Sequence, residues 1–240
     1  MYDTATVIVP PDWQSALDVD RILHGQGINP AGGAPGLEPL RVAAASALAV
    51  GVRLIEPRVA AREVACTFEP GAVVFAGGSR GVSGALVEEL AGAEAVLVAV
   101  CTVGDRIDRA AAASFDGDPV LSLALDGLAC AAVDLLARAV CGQACLDAEA
   151  RGWHVGNPLM PGMEGWALGE GQQLIFQLVD TAAIGVALRE SGQMQPCKSL
   201  SFMAGLGPRV RRGSADACVR CGARRTCRWS GGCGGASGGL

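Results

Sequence analysis

At 240 residues, 50% hydrophobic and 18% charged, the chain can bury a core of ordinary density as one large domain with an appendage. Its formal charge of −5, with no basic run beyond residues 209–212, excludes the concentrated positive face that nucleic acid requires. Ten cysteines follow a start, Met1-Tyr2-Asp3-Thr4, that has no basic segment ahead of an apolar one, so a reduced, cytoplasmic setting is expected, with thiols serving purposes other than disulfides.

In chain order, residues 4–9 form a short β-branched strand stopped by Pro10-Pro11, and Asp12 is placed to cap a helix running to about Leu23. A Gly-, Asn- and Pro-rich loop over residues 25–36 leads into a helix over residues 36–50 with one apolar face. Residues 42–52 are the longest uncharged apolar stretch near the start, about half of a bilayer span, so no transmembrane helix and no membrane partner are expected. Residues 52–75 read as short strands broken by Pro57 and Pro70, and residues 81–90 as a helix.

Residues 95–103 are apolar without alternation, the pattern of a central strand buried on both faces. Asp118-Pro119 then starts a helix to about Cys141, because Asp caps free amides and Pro fits the first helical position. That helix is apolar nearly all round, which places it in the interior and makes its acids conspicuous. Asp126, Cys130 and Asp134 recur every four residues as one stripe, and carboxylates on a buried helix need a hydrogen bond or a cationic or hydroxyl-bearing ligand to offset desolvation.

Gly77-Gly78-Ser79-Arg80-Gly81 is a tight turn and not a phosphate cradle, since neither a Lys-Ser/Thr pair nor dinucleotide spacing accompanies it. His24 and His154 have no nucleophile motif around them, which leaves a hydrolase triad without support. Six cysteines, Cys66, Cys101, Cys130, Cys141, Cys145 and Cys197, sit among Ala, Val and Leu as small buried hydrophobes. The other four, Cys218-x2-Cys221-x5-Cys227-x5-Cys233, lie in a Gly-rich stretch and are candidate metal ligands; four thiolates suit tetrahedral zinc and an iron–sulfur cluster alike.

Between residues 161 and 199, Pro161-Gly162-Met163-Glu164-Gly165-Trp166, Arg189-Glu190-Ser191 and Pro196-Cys197-Lys198-Ser199 have the composition of loops whose backbone walls a ligand. With Thr102-Val103-Gly104, the segment from Asp126 to Asp134 and Ile184-Gly185-Val186, their order resembles the activation (reactivation) domain of cobalamin-dependent methionine synthase, in particular its free-standing relatives with a C-terminal cysteine cluster. The resemblance covers residues 1–207 and is firmest over 121–207.

It implies an α+β fold, a curved antiparallel sheet with surrounding helices over residues 1–212, followed by a Cys-rich metal-binding tail over 213–240. It also implies S-adenosylmethionine in a groove walled by the Pro-Gly and Glu-Ser loops, with Asp134, Pro161, Gly162, Trp166, Glu190, Ser191 and Lys198 around it, and a corrinoid on a partner protein or methionine synthase as methyl acceptor. The chain departs from the family pattern where Pro158 replaces an Arg that meets the ligand carboxylate; Arg189, Lys198 and Arg151 are the candidate substitutes. Met163 stands in place of an aromatic residue, and Gly169 and Gly171 flank Glu170 where relatives tend to have Glu and Gln.

The implied function is reactivation of a corrinoid methyltransferase by S-adenosylmethionine-dependent reductive methylation. Two alternatives are a non-catalytic corrinoid-protein-binding module with a structural zinc, and an iron–sulfur reductive activator that uses no S-adenosylmethionine.

Overall fold

The computed structural model describes residues 12–31 and 36–212; the strand expected at residues 4–9 and the cysteine cluster at Cys218, Cys221, Cys227 and Cys233 lie outside them. The longest strands, β1 (Arg58–Glu69), β4 (Ala95–Thr102) and β8 (Ser199–Gly207), pair antiparallel with β4 between the other two. Shorter strands extend both edges: β2 (Ala72–Phe75) and β3 (Arg80–Gly81) beside β1, and β5 (His154–Val155) beside β8, giving the order β3-β2-β1-β4-β8-β5. A separate hairpin joins β6 (Ala187–Leu188) to β7 (Met194–Gln195).

All eight residues of β4 are buried, as their unbroken apolar run predicts, and alternation divides them between two cores. Leu97, Ala99 and Cys101 face one helical layer together with Phe202 and Ala204 of β8. That layer contains α1 (Val19–Gly25), α2 (Leu37–Gly51), α4 (Arg106–Ser114) and α5 (Pro119–Glu149). Val96, Val98 and Val100 face the opposite layer, α3 (Gly84–Glu89) and α6 (Leu168–Leu178), with Trp166 and Leu159.

Asp118 caps α5 by accepting from the Leu121 amide at 2.9 Å, with Pro119 in the first turn. The helix is eight residues longer than expected, ending at Glu149 instead of about Cys141, because Ala144 and Ala148 continue the buried face. By length and composition it is apolar enough to cross a membrane, but 67% of its most apolar window is buried in the protein, so its hydropathy serves the core.

Several local expectations are corrected. Asp12 has a left-handed backbone and makes no side-chain cap; the first helix starts later, where Asp18 accepts from the Arg21 amide at 2.8 Å. Residues 52–57 form no strand, so β1 begins only after Pro57, while Pro70 separates β1 from β2 as expected. The helix expected over residues 81–90 starts later, at Gly84 with Ser83 as its cap, and Gly81 closes a hairpin whose turn carries Gly77 and Gly78 at φ 96° and 90°. The short α4 was not anticipated at all.

Candidate functional site

Three segments meet at the start of α6. The first is the loop over residues 160–166, tied to the sheet where Leu159 and Met203 exchange backbone hydrogen bonds of 2.7 and 2.9 Å. It turns through Met163 N–H to the Met160 carbonyl, Trp166 N–H to the Met163 carbonyl and Gly162 N–H to the Trp166 carbonyl. Gly162 and Gly165 have φ of 90° and 80°, conformations that cost other residues strain. A Cβ on Gly165 would also stand 2.9 Å from the Ala85 Cβ, so this loop lies directly on α3.

The second segment is the turn between β3 and α3. The Ser83 hydroxyl donates to the Gly165 carbonyl at 2.6 Å, and its oxygen accepts from the Leu86 amide at 3.4 Å. The third is the β6–β7 hairpin, closed by Gly192 N–H to the Arg189 carbonyl, which carries Glu190 and Ser191 exposed at its tip. A Cβ on Gly192 would lie 3.7 Å from the Gly169 Cα, which puts the Glu-Ser turn against the first turn of α6.

Between the loop, the β3–α3 turn and α6 lies an open depression of about 680 Å³. Val82 and Ser83 line one side, Gly162, Met163, Gly165 and Trp166 another, and Ala167, Leu168 and Glu170 the helix start. Trp166 is 2% exposed and belongs to the core while presenting part of itself to this space. The glycine at 171 has a packing reason: a Cβ there would come 2.8 Å from the Pro161 Cβ and 2.9 Å from Trp166 Cε2.

Pro161, Gly162, Trp166, Glu190 and Ser191 are therefore brought together around α6. Asp134 and Lys198 are not. Asp134 sits on α5, across the sheet from Trp166, and binds Arg138 Nε at 2.7 Å one turn on. Lys198 reaches the same helical layer, where its Nζ contacts Asp126 Oδ1 at 2.6 Å. The stripe of Asp126, Cys130 and Asp134 runs along the solvent edge of α5 and not its buried face, since Asp126 is exposed and Asp134 half-buried. Ion pairs with side chains of the protein, with no ligand required, answer their charges.

Burial by itself would lower the Lys198 pKa, but the Asp126 hydrogen bond and the surrounding Cys130, Asp126 and Asp108 groups outweigh it and raise it. Burial raises the Asp108 carboxyl, against the opposing pull of Lys198. This cluster is an electrostatic clasp between α4, α5 and the start of β8.

Of the three candidate cations for a ligand carboxylate, Arg151 binds Glu63 of β1 at 2.8 and 3.1 Å and stacks over Trp153, while Lys198 is held by Asp126. Arg189 is on the hairpin beside the depression, where its Nε donates to Gln195 Oε1 at 3.2 Å. Pro158 lies one residue before the Leu159 bridge to β8.

Cys66 and Cys101 are buried, Cys130 and Cys141 partly so, but Cys145 and Cys197 are exposed, contrary to the expectation of six buried thiols. Burial pushes Cys66 up to about 11 and Cys141 up to about 12, which keeps both as thiols. Among the described residues no group of three or more His, Cys, Asp or Glu side chains is arranged to hold a metal. The wall at Val82 and Ser83 escaped sequence reasoning, and its only local signal was the N-cap serine ahead of an apolar helix.

No protein-family model matches the chain, and no curated protein does. Its structure is similar to the crystal structure of the MetH reactivation domain bound to AdoHcy, with a TM-score of 0.54 over 79% of this chain and 72% of that chain, at 15% sequence identity. The antiparallel sheet between helical layers is thus a fold this chain shares with that domain.

Proposed function

We propose that the chain binds S-adenosylmethionine in the depression at the start of α6 and presents its methyl group to a corrinoid carried by a partner protein, reactivating a corrinoid methyltransferase of the methionine synthase kind. The observation that carries this reading is the convergence of the Pro161-Gly162 loop and the Glu190-Ser191 turn on one helix start, in a fold shared with a domain solved with AdoHcy.

In the reaction, oxidised cob(II)alamin takes one electron to become cob(I)alamin, whose cobalt attacks the sulfonium methyl. The cobalt–carbon bond forms as the carbon–sulfur bond breaks, and its electron pair stays on sulfur to leave the neutral thioether. Methyl transfer removes cob(I)alamin and so draws an uphill reduction forward. The protein's part is placement: glycine-built loop backbone meets the polar edges of the nucleoside, Trp166 and Leu168 supply apolar contact, and the open side of the depression leaves room for the corrinoid.

The thiolates of Cys218, Cys221, Cys227 and Cys233, holding an iron–sulfur cluster, would be the electron source; holding zinc, they would brace the tail. Anaerobic purification, absorption spectroscopy and titration calorimetry with S-adenosylmethionine test the whole reading. A brown protein and saturable heat are expected. A colourless protein with about one zinc per chain and no heat would overturn it in favour of a non-catalytic corrinoid-protein-binding module.

A further inference from the structure

Among the described residues lining the depression, Glu170 is the single charged side chain. Val82, Met163 and Leu168 are exposed apolar residues around it, and the Ser83 hydroxyl is spent on the Gly165 carbonyl. Two further exposed carboxylates, Glu164 and Glu190, are carried by the loop and the hairpin that meet the start of α6, though neither lines the depression. No cation lines the depression among the described residues: Arg80, on the strand before Val82, pairs with Glu69, and Arg189, on the hairpin, turns its Nε to Gln195. The free amides of the α6 N-terminus carry only about half an elementary charge, and Glu170 in that same first turn outweighs them.

We propose that this depression selects its ligand by positive charge and leaves a ligand carboxylate unread. The inference rests on the reading that the depression is the S-adenosylmethionine site. There the ligand's sulfonium and ammonium face carboxylates, while its own carboxylate points to solvent. Loss of the methyl group abolishes the sulfonium charge, so charge selection also favours departure of the thioether product.

The test is calorimetric titration of the full-length protein at low ionic strength with three ligands: S-adenosylmethionine, AdoHcy and decarboxylated S-adenosylmethionine. The methylated ligand should bind about fivefold or more tightly than AdoHcy, and the margin should shrink in Glu170→Gln and at about 0.5 M salt. The decarboxylated ligand should bind at least as tightly as its parent. If decarboxylation weakens binding about tenfold or more, a cation reads the carboxylate and the proposal falls; loss of that difference in Arg189→Gln would then identify the cation. Equal affinity for S-adenosylmethionine and AdoHcy would overturn the inference while leaving the site assignment intact. Failure of all three ligands to bind would remove both.

Discussion

The Ser83 hydroxyl sits between two functions of the backbone, donating to the Gly165 carbonyl while accepting from the Leu86 amide. Removing it leaves a loop carbonyl unpaired and α3 uncapped, each a loss of about 1 kcal/mol. Ser83→Ala should therefore loosen the 160–166 loop against α3 and weaken S-adenosylmethionine binding several-fold, with rescue by Ser83→Thr, read by calorimetry. Lys198→Met and Asp134→Asn make the matching control. Both residues lie in the α5 layer across the sheet from Trp166, so ligand affinity should stay unchanged while the urea midpoint falls slightly for the lysine variant. Binding lost in these variants and kept in Ser83→Ala would put the ligand on the α5 side.

At the scale of elements, the crossing of α1 and α5 is set by two glycines. A Cβ on Gly127 would stand 2.5 Å from Gln26 Cγ and 2.7 Å from the Ile22 carbonyl oxygen, and a Cβ on Gly25 would overlap the Gly127 carbonyl. Alanine in a helix interior normally gains about 0.5–1 kcal/mol over glycine, yet overpacking against backbone costs about 1–3 kcal/mol. Gly127→Ala should thus lower stability by about 1–2 kcal/mol, seen as a lower urea midpoint with an unchanged slope; a more stable variant would show that α1 can move away. The elements that sequence made legible are those whose signal is local and strong. Strand β4 announces itself by seven consecutive apolar residues, Ala95 to Cys101, and α5 by Asp118-Pro119 ahead of a long Leu- and Ala-rich run. The short α4 was hidden because only Ile107 and Ala111 are buried in it, too few to mark a face. The same limit applies to the site. Pro161-Gly162 and Gly165 are visible because their turn demands glycine, whereas the Ser83 wall comes from a contact with Gly165, far away in sequence. Asp134 and Lys198 were placed with the loops by the resemblance alone, and no local signal in the sequence says on which side of a sheet their side chains emerge.

For the whole molecule, the described residues up to 212 precede the stretch that carries Cys218, Cys221, Cys227 and Cys233. Val210 is 4% exposed and packs in the α6-side core, Gly207 ends the last strand, Arg209 pairs with Glu94, and Arg212 donates to His154 Nδ1 at 3.2 Å. Each of these contacts lies at or before residue 212, and the depression at α6 is built wholly from residues 82–170. A chain ended after Arg212 keeps every one of them, so core burial and the ligand walls should survive together. Its melting temperature should lie within a few degrees of the full-length value, because no described core residue is removed. Binding of S-adenosylmethionine should persist with similar affinity, while any bound iron or zinc and any ability to deliver an electron to cob(II)alamin should disappear with Cys218, Cys221, Cys227 and Cys233. Thermal melts, calorimetry and metal analysis on the two chains separate these quantities. Retention of metal by the shortened chain would place the metal's ligands within residues 1–212, and loss of ligand binding would make the residues after 212 part of the site.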